Sequence, residues 1–126
     1  MKAVTKIIFF DENNEKFFGE GPYRLLHTVE ETGSLRSAAA SMGLAYTKAL
    51  RMIRNAEKAL GFPLTRRSTG GKSCGGSTIT PEGKEWLTKY EQYHDACVQA
   101  NSRLYLEIFS EQSEKTSCPD WQPGER

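Results

Sequence analysis

Two short helices joined by a glycine turn constrain the fold of this chain more than any other part of its sequence. They lie in residues 33–61, which run GSLRSAAASMGLAYTKALRMIRNAEKALG. Ser34 suits the N-cap of the first helix because its hydroxyl oxygen can accept a bond from a free backbone N–H. Gly43 suits the left-handed residue that ends this helix. The segment therefore predicts helices over about 34–42 and 46–60.

The second of these helices has one apolar face and one polar face. Ala49, Ile53, Ala56 and Leu60 recur at spacings of four, three and four, which predicts one buried stripe along the helix. The opposite face carries hydroxyl groups and cations, which suit phosphates and the edges of bases. Because a helix-turn-helix places its second helix in the major groove of DNA, we interpret the segment as a motif that binds double-stranded DNA.

Two groups of side chains are assigned to DNA contacts on this interpretation. The N-terminal part of a recognition helix enters the groove, so residues at the start of the second helix are expected to contact base edges. They are Tyr46, Thr47, Lys48 and Arg51. Serines and cations elsewhere in the motif and in the segment after it are expected to contact the DNA backbone. These are Ser34, Arg36, Ser37, Arg54, Lys58, Arg66, Arg67 and Lys72.

The positive charge of the chain is concentrated in and just after this motif. The whole chain of 126 residues has a formal net charge of +1, whereas residues 45–72 carry seven cations and a single acid, Glu57, for a net charge of +6. Clustered cations raise the affinity for a polyanion, since each neutralised phosphate releases counterions. An ordinary solvated helix face is the alternative interpretation, but the overlap with the helix-turn-helix favours nucleic acid.

An N-terminal β-hairpin is predicted for residues 1–21. An apolar segment, a polar turn and a second aromatic segment follow one another there. A lone hairpin is barely stable in water, so its phenylalanines need cover, and we expect a partner subunit to supply it. The phenylalanines are Phe9, Phe10, Phe17 and Phe18.

Residues 22–80 are predicted to form a winged helix-turn-helix domain. Its first helix covers about 22–32 and packs behind the two helices of the motif, and a second hairpin at 63–80 forms the wing. The tip of this hairpin is rich in glycine and carries Lys72 and Cys74. Redox sensing by Cys74 beside a cation is one hypothesis, and an inert exposed thiol is the alternative.

A long helix is predicted over 81–110, followed by a disordered tail at 111–126. The tail is polar, contains two prolines and has no sustained pattern. We interpret the long helix as a dimerisation helix, because its residues recur in a heptad pattern. An amphipathic helix that covers its own domain is the alternative. The seam residues are Leu87, Tyr90, His94, Cys97, Asn101, Leu104 and Ile108.

Other classes of function have little support in the sequence. The three cysteines are far apart, so neither a disulfide framework nor a zinc site is expected. The sequence has no signal-peptide pattern and no apolar run of about eighteen residues, which predicts a cytoplasmic protein without a membrane segment. With two histidines and no local group of catalytic residues, neither an enzyme nor a cofactor is expected.

Two stretches of the sequence resemble the N-terminal winged-helix domain of the ModE family of molybdate-responsive bacterial repressors, and more distantly the DNA-binding domain of LysR-type regulators. ETGSLRSAAASMGLAYTKAL is similar to the family's tGSi..AA...g.SY..AW, and TGGKSCGGSTITPEG is similar to its tGG..GGg..LT..G. The resemblance spans about 19–93. It implies a dimeric transcription regulator whose third helix enters the major groove and whose wing touches the DNA backbone. It also implies that the hairpin and the last helix support dimerisation.

The chain departs from the family pattern at several positions. Ala45 stands where the family usually has serine, so the third helix is expected to lack a side-chain cap, at a cost of about 1 kcal/mol. Leu50 replaces the usual tryptophan, and Arg51 replaces the usual acidic residue, which predicts a different base preference. Ser73 and Cys74 replace glycines in the wing. No segment is expected to form the molybdate-binding domains that usually follow, so the effector stays unassigned.

From these observations we expect a homodimeric, sequence-specific DNA-binding transcription regulator without its own molybdate-sensing domain. The alternative is a protein-interaction module, or a modulator that forms mixed dimers with a full-length regulator. Binding to protein without specific binding to a DNA duplex would distinguish the alternative.

Overall fold

Four helices and two small β-hairpins make up residues 1–67 and 76–110, the part of the chain that the computed structural model describes. β1 pairs with β2, and β3 pairs with β4, both in antiparallel register. This mainly helical winged-helix architecture confirms the fold class predicted from the sequence. The elements in chain order are β1 (Phe9–Phe10), β2 (Lys16–Phe18), α1 (Glu20–Thr32), α2 (Leu35–Ser41), α3 (Tyr46–Leu60), β3 (Thr65–Arg67), β4 (Ser77–Ile79) and α4 (Pro81–Phe109).

The described residues divide into two compact units, the larger lying within Lys6–Gln92 and the smaller comprising Met1–Thr5 and residues 93–110. The core of the larger unit is formed by apolar side chains of α1, α2 and α3, of the two hairpins and of the start of α4. Removal of this surface from water is the main force that stabilises the unit. The buried apolar residues are Phe18, Leu25, Leu26, Val29, Leu35, Ala38, Ala39, Ala49, Ile53, Ala56, Leu64, Ile79, Leu87 and Tyr90.

The turn between α2 and α3 is tight because its backbone groups are bonded across it. Ser34 Oγ accepts the Ser37 N–H at 3.1 Å, so Ser34 caps α2 as the sequence predicts. Gly43 has a φ of +70°, a conformation that glycine adopts without strain. The Leu44 N–H donates to the Ala39 carbonyl at 2.8 Å. These bonds fix the direction in which α3 leaves the turn.

The N-terminal hairpin is covered by the chain itself, which corrects the expectation that a partner subunit covers its phenylalanines. Phe18 is completely buried, and its ring meets the Trp86 ring edge-on with 5.3 Å between centroids. Phe9 and Phe17 are half-buried and also lie against Trp86. Phe10 is the exposed member of the four. The expectation failed because the covering ring comes from α4, far along the chain.

The wing is attached to the larger unit at its base. Thr80 Oγ1 donates to the Pro63 carbonyl at 2.6 Å and accepts the Gly83 N–H at 2.9 Å, so Thr80 caps α4 and also holds the segment before β3. The Ser77 N–H donates to the Gly33 carbonyl at 2.7 Å. Thr80 is buried, and its two bonds offset the cost of removing a hydroxyl from water.

The part of α4 that lies in the larger unit is core and not interface. Leu87 and Tyr90 are both buried there. The Tyr90 ring lies 5.0 Å from the Phe18 ring between centroids, and burial raises the pKa of the Tyr90 hydroxyl. The prediction that Leu87 and Tyr90 form a dimer seam is therefore wrong, because these side chains already cover their own domain.

In the smaller unit, residues at the N-terminus are bonded to α4. The Asn101 side-chain amide donates to Thr5 Oγ1 at 2.9 Å and to the Ala3 carbonyl at 3.2 Å. The Tyr105 hydroxyl donates to the Met1 carbonyl at 3.0 Å. Asn101 was predicted as a seam residue; its amide is bonded within the chain, and its part in a dimer seam stays a prediction.

The remaining residues of the predicted seam differ in exposure. His94 Nδ1 lies 3.4 Å from the Asp95 carboxylate, and Cys97 is half-buried. Leu104 and Ile108 are apolar and yet 44% and 61% exposed. Exposed apolar side chains at heptad spacing are typical of a helix that contacts another helix. Only this end of the predicted seam keeps the properties of an interface.

Glu91 connects α4 to α1 through two polar contacts. Its Oε2 accepts a bond from the Tyr23 hydroxyl at 2.5 Å and lies 2.6 Å from His27 Nε2. These contacts, the Tyr23 bond first and the His27 bond second, hold the pKa of Glu91 below its ordinary value of 4.5. The ionised form of this carboxylate therefore stabilises the fold.

Replacing Glu91 with glutamine is expected to flatten the acid dependence of stability. Since the folded-state pKa is the lower one, the carboxylate stabilises the fold above its unfolded-state pKa, and this stabilisation disappears as the pH falls through the folded-state value. The side chain is 39% exposed, so we expect the free energy of unfolding to change by less than about 1 kcal/mol. Urea unfolding between neutral and acid pH measures the change. Glu30→Gln, an exposed carboxylate on α1, is the control, and equal profiles for the two variants contradict the prediction.

Candidate nucleic-acid interface

The solvent face of α3 carries most of the side chains predicted to contact DNA. Thr47, Arg51, Arg54 and Lys58 follow one another at intervals of four, three and four residues, so they share one face of the helix. All four are exposed, and Lys48 is exposed beside them. The buried stripe of Ala49, Ile53 and Ala56 is confirmed on the opposite face. α3 is thus anchored by one face and presents hydroxyl and cationic groups on the other.

The cations of this face have no ion-pair partners among the described residues. The ion pairs found among the described residues all join side chains that lie on α1 or α4. Glu57 is the single acid within 45–72, and its carboxylate accepts the Leu64 N–H at 2.8 Å and the Thr65 N–H at 3.5 Å. The single acid of residues 45–72 is therefore bonded to the base of the wing and forms no ion pair with the cations of α3.

The start of α3 is held by a residue of α2. The N-cap residue is Ala45, and it makes no side-chain cap bond, as the sequence predicts. Tyr46 follows, half-buried, and the guanidinium of Arg36 lies over its ring at 4.2 Å from the centroid. Ser34 Oγ is occupied in capping α2, whereas the Ser37 side chain is exposed.

Two more of the predicted backbone contacts lie on β3. Arg66 and Arg67 are both exposed. Because successive residues of a strand point to opposite sides, the two guanidiniums leave the hairpin in different directions. A DNA duplex that contacts one of these guanidiniums closely is therefore not expected to contact the other in the same geometry. Lys72 and Cys74, predicted at the wing tip, lie outside the described residues.

Three features of this interface were not predicted from the sequence. Glu57 was recognised only as an isolated acid, and its bond to the wing depends on where the chain returns after Gly61. The stacking of Arg36 on Tyr46 links two helices and has no periodic signature. Gly83 on α4 lies so close to the wing base that an added β-carbon would be 2.8 Å from the Leu64 carbonyl oxygen. This approach also depends on tertiary packing, although a glycine inside a predicted helix is a signal in the sequence.

The described residues provide no sign of other chemistry at this surface. Within 1–67 and 76–110, no three histidine, cysteine, aspartate or glutamate side chains come together as a metal site. In the same part of the chain, no helix combines the length and apolar character that a membrane span needs. Among the described residues, the groups that this surface presents include hydroxyl groups, cations and one stacked tyrosine.

A helix-turn-helix with an uncompensated basic face, followed by a two-stranded ribbon, defines the class of winged helix-turn-helix domains. These domains place the second helix of the motif in the DNA major groove. Residues 22–84 match the family described as bacterial regulatory helix-turn-helix proteins of the LysR family. The chain belongs to this family. The family consists of regulators rather than enzymes, which confirms that the chain is not an enzyme.

Curated relatives include regulators of molybdenum metabolism. The chain is 33% identical over 66 residues to the molybdenum-pterin-binding protein MopB of Rhodobacter capsulatus, covering 52% of the chain and 24% of MopB. It is 32% identical over 91 residues to the transcriptional regulator ModE of Haemophilus influenzae, covering 72% of the chain and 36% of ModE. The chain therefore spans about a quarter to a third of the length of these relatives. These matches confirm the resemblance to ModE.

Solved structures show the same fold. The CbnR DNA-binding domain, solved in a complex with DNA, superposes with a TM-score of 0.55 at 19% identity, covering 70% of this chain and 95% of that domain. A LysR family transcriptional regulator superposes with a TM-score of 0.53 at 18% identity, covering 72% of this chain and 29% of that protein. At these identities the likeness establishes the architecture of the domain.

Proposed function

We propose that this chain is a homodimeric, sequence-specific regulator of transcription that binds double-stranded DNA through α3 and acts in the cytoplasm. The observation that carries the proposal is the solvent face of α3, where Arg51, Arg54 and Lys58 are exposed without ion-pair partners in the described part of the chain. Membership of a family of helix-turn-helix regulators supports it. So does the DNA present in the complex of the CbnR domain, which has the same fold.

Base contacts fall to the first turns of α3 and phosphate contacts to its later turns. Tyr46, Thr47, Lys48 and Arg51 lie where a recognition helix enters the groove. Arginine and lysine there suit guanine, whose major-groove edge offers two acceptors. The groups proposed to contact phosphate and to fix the register of the domain on the duplex are Ser34, Arg36, Ser37, Arg54, Lys58, Arg66, Arg67 and Lys72.

The homodimer is proposed to form through the end of α4. Leu104 and Ile108 are exposed apolar residues four positions apart, and Cys97 lies one heptad before Leu104. This surface is smaller than the seam predicted from the sequence, because Leu87 and Tyr90 are buried in the domain core. Two copies joined in this way bind a two-fold related DNA site, in which each copy contacts one half-site.

Selection of bound duplexes from a random pool, followed by a salt titration on the selected duplex, tests the proposal. We expect one enriched sequence with two related halves, and an affinity that falls steeply as salt rises because phosphate contacts release counterions. The assay contains no molybdate, since the chain is proposed to bind DNA without it. An absence of any enriched sequence together with a flat salt dependence refutes the regulator. Binding to protein partners without specific duplex binding would instead support an interaction module.

Replacing Arg51 with alanine is expected to weaken binding to the selected duplex by about 1–3 kcal/mol and to relax the preference at one base pair. The matched control is Arg54→Ala on the same exposed face. This control should weaken binding to all sequences alike and lower the salt slope by about one unit, as expected of a phosphate contact. Fluorescence anisotropy with single-base variants of the site measures both. If Arg51→Ala keeps every base preference, Arg51 does not contact a base.

A further inference from the structure

We propose that Arg36 is a positioning residue that orients Tyr46 for base contact, so that a side chain of α2 sets part of the base preference of α3. The inference rests on the proposed function and concerns how the DNA-binding surface is held in place. The sequence had suggested only a phosphate contact for Arg36. The geometry points to a second role, because the guanidinium lies over the Tyr46 ring at 4.2 Å from its centroid.

The contact joins two helices at the start of α3, where a side-chain cap is missing. α3 begins at Tyr46, and the residue before it, Ala45, makes no side-chain cap bond. A helix start without a cap has free N–H groups and frays more readily. The Tyr46 side chain is half-buried and packs against the hydrophobic core, which restrains part of its ring. The cation of Arg36 supplies a further restraint, since guanidinium groups are attracted to the faces of aromatic rings.

Arg36 is itself well placed to act as a fixed support. It is the second residue of α2, and the residues around it are held from both sides. Leu35, the residue before it, is buried in the core, and the N–H of Ser37, the residue after it, is bonded to the Ser34 cap at 3.1 Å. The backbone at Arg36 is therefore fixed while its side chain remains exposed.

The stacked pair limits how DNA can approach Tyr46. One face of the ring is occupied by Arg36, so a base or sugar cannot stack on that face. The guanidinium keeps N–H donors that can contact phosphate from the same position. Tyr46 and Arg36 thus act as one unit, in which the arginine restrains the tyrosine ring and can also contact a phosphate of the DNA backbone.

Base preference distinguishes this role from a simple phosphate contact. We expect Arg36→Gln to reduce discrimination at one base pair by about three- to tenfold, in addition to a general loss of affinity. Arg36→Lys keeps the charge and should retain part of the discrimination, because an ammonium group also attracts the ring but cannot stack on it. Arg54→Gln, which removes one cation from α3, is the matched control and should weaken binding to all duplexes alike.

A double replacement isolates the pair. In a Tyr46→Leu background, Arg36→Gln is expected to leave the remaining base preferences unchanged, because the ring that it orients is gone. Additive effects of the two substitutions on base preference, or an Arg36→Gln variant that loses affinity uniformly as Arg54→Gln does, overturn the inference. Circular dichroism of each variant confirms that the fold is retained before binding is measured.

A measurement without DNA provides a second test. In the free protein, the side-chain methylene protons of Arg36 next to the guanidinium should have NMR shifts displaced by the Tyr46 ring, and the displacement should vanish in Tyr46→Leu. Ordinary shifts in the unsubstituted protein overturn the inference. If the unsubstituted protein selects no DNA sequence at all, the proposed function fails, and the role of Arg36 fails with it. If it selects a site and Arg36→Gln keeps every preference, only the role of Arg36 fails.

Discussion

Replacing Gly83 with alanine is expected to destabilise the larger unit by about 1–3 kcal/mol, although alanine is the better helix former. A β-carbon at this position would lie 2.8 Å from the Leu64 carbonyl oxygen and 3.0 Å from Ile79 Cγ2. The first of these atoms belongs to the backbone of the segment that carries the wing, so it cannot move away without breaking the bonds that Thr80 and Glu57 make there.

Gly21 provides a matched control for Gly83. It lies in α1 without a positive φ, and apart from its chain neighbours a β-carbon there would meet the Met52 methyl group at 3.5 Å, a normal contact distance. The helix propensity of alanine favours Gly21→Ala, whereas the following Pro22 disfavours a β-carbon there, so this variant should change the stability by less than about 1 kcal/mol. Urea unfolding of both variants measures the difference. If Gly83→Ala destabilises the protein no more than Gly21→Ala does, the wing base is not packed against α4 as described.

Replacing Leu104 and Ile108 together with glutamine is expected to convert the proposed dimer into a monomer. The two side chains are the exposed apolar residues that remain at heptad positions of the predicted seam, and glutamine removes the apolar surface without changing the charge. A monomer loses the gain in affinity that comes from binding two half-sites with linked modules. Affinity for a two-fold DNA site should therefore fall about a hundredfold or more, while the base preference within each half-site stays the same.

Leu106→Gln is the control for this double variant. Leu106 is 61% exposed, as Ile108 is, but it lies two residues from each member of the pair and hence on the opposite side of the helix. It should leave the sedimentation coefficient and the affinity unchanged. A protein that sediments as a monomer before any substitution contradicts the dimer itself. A double variant that still sediments as a dimer assigns the interface to another surface.

The helix-turn-helix was predictable because its signals are local. A serine cap, a glycine with positive φ and an apolar stripe at spacings of three and four lie within 33–61, and each depends only on nearby residues. The assignment of DNA contacts to α3 follows from the same stripe, since the face opposite to a buried face is exposed. The roles of the individual side chains at the DNA stay predictions, which the experiments above test.

The dimer seam was less predictable because a heptad pattern does not say which surface it covers. Leu87 and Tyr90 continue the same spacing as Leu104 and Ile108, yet the first pair is buried in its own domain and the second is exposed. The difference arises from Phe18, which is distant in sequence and packs against Tyr90. Contacts between remote segments leave no periodic trace, and these are the contacts that sequence reasoning missed.

Because α3 has one buried face and one exposed face, the DNA sequence preference of such a domain can be changed separately from its fold. Ala49, Ile53 and Ala56 fix the helix to the core, and Glu57 fixes the wing to the helix. The outward positions Thr47, Lys48, Arg51, Arg54 and Lys58 are exposed. A transplant of these outward side chains from a relative, together with its residues at the positions of Arg36 and Tyr46, should therefore transfer that relative's operator preference, provided that Glu57 is left in place.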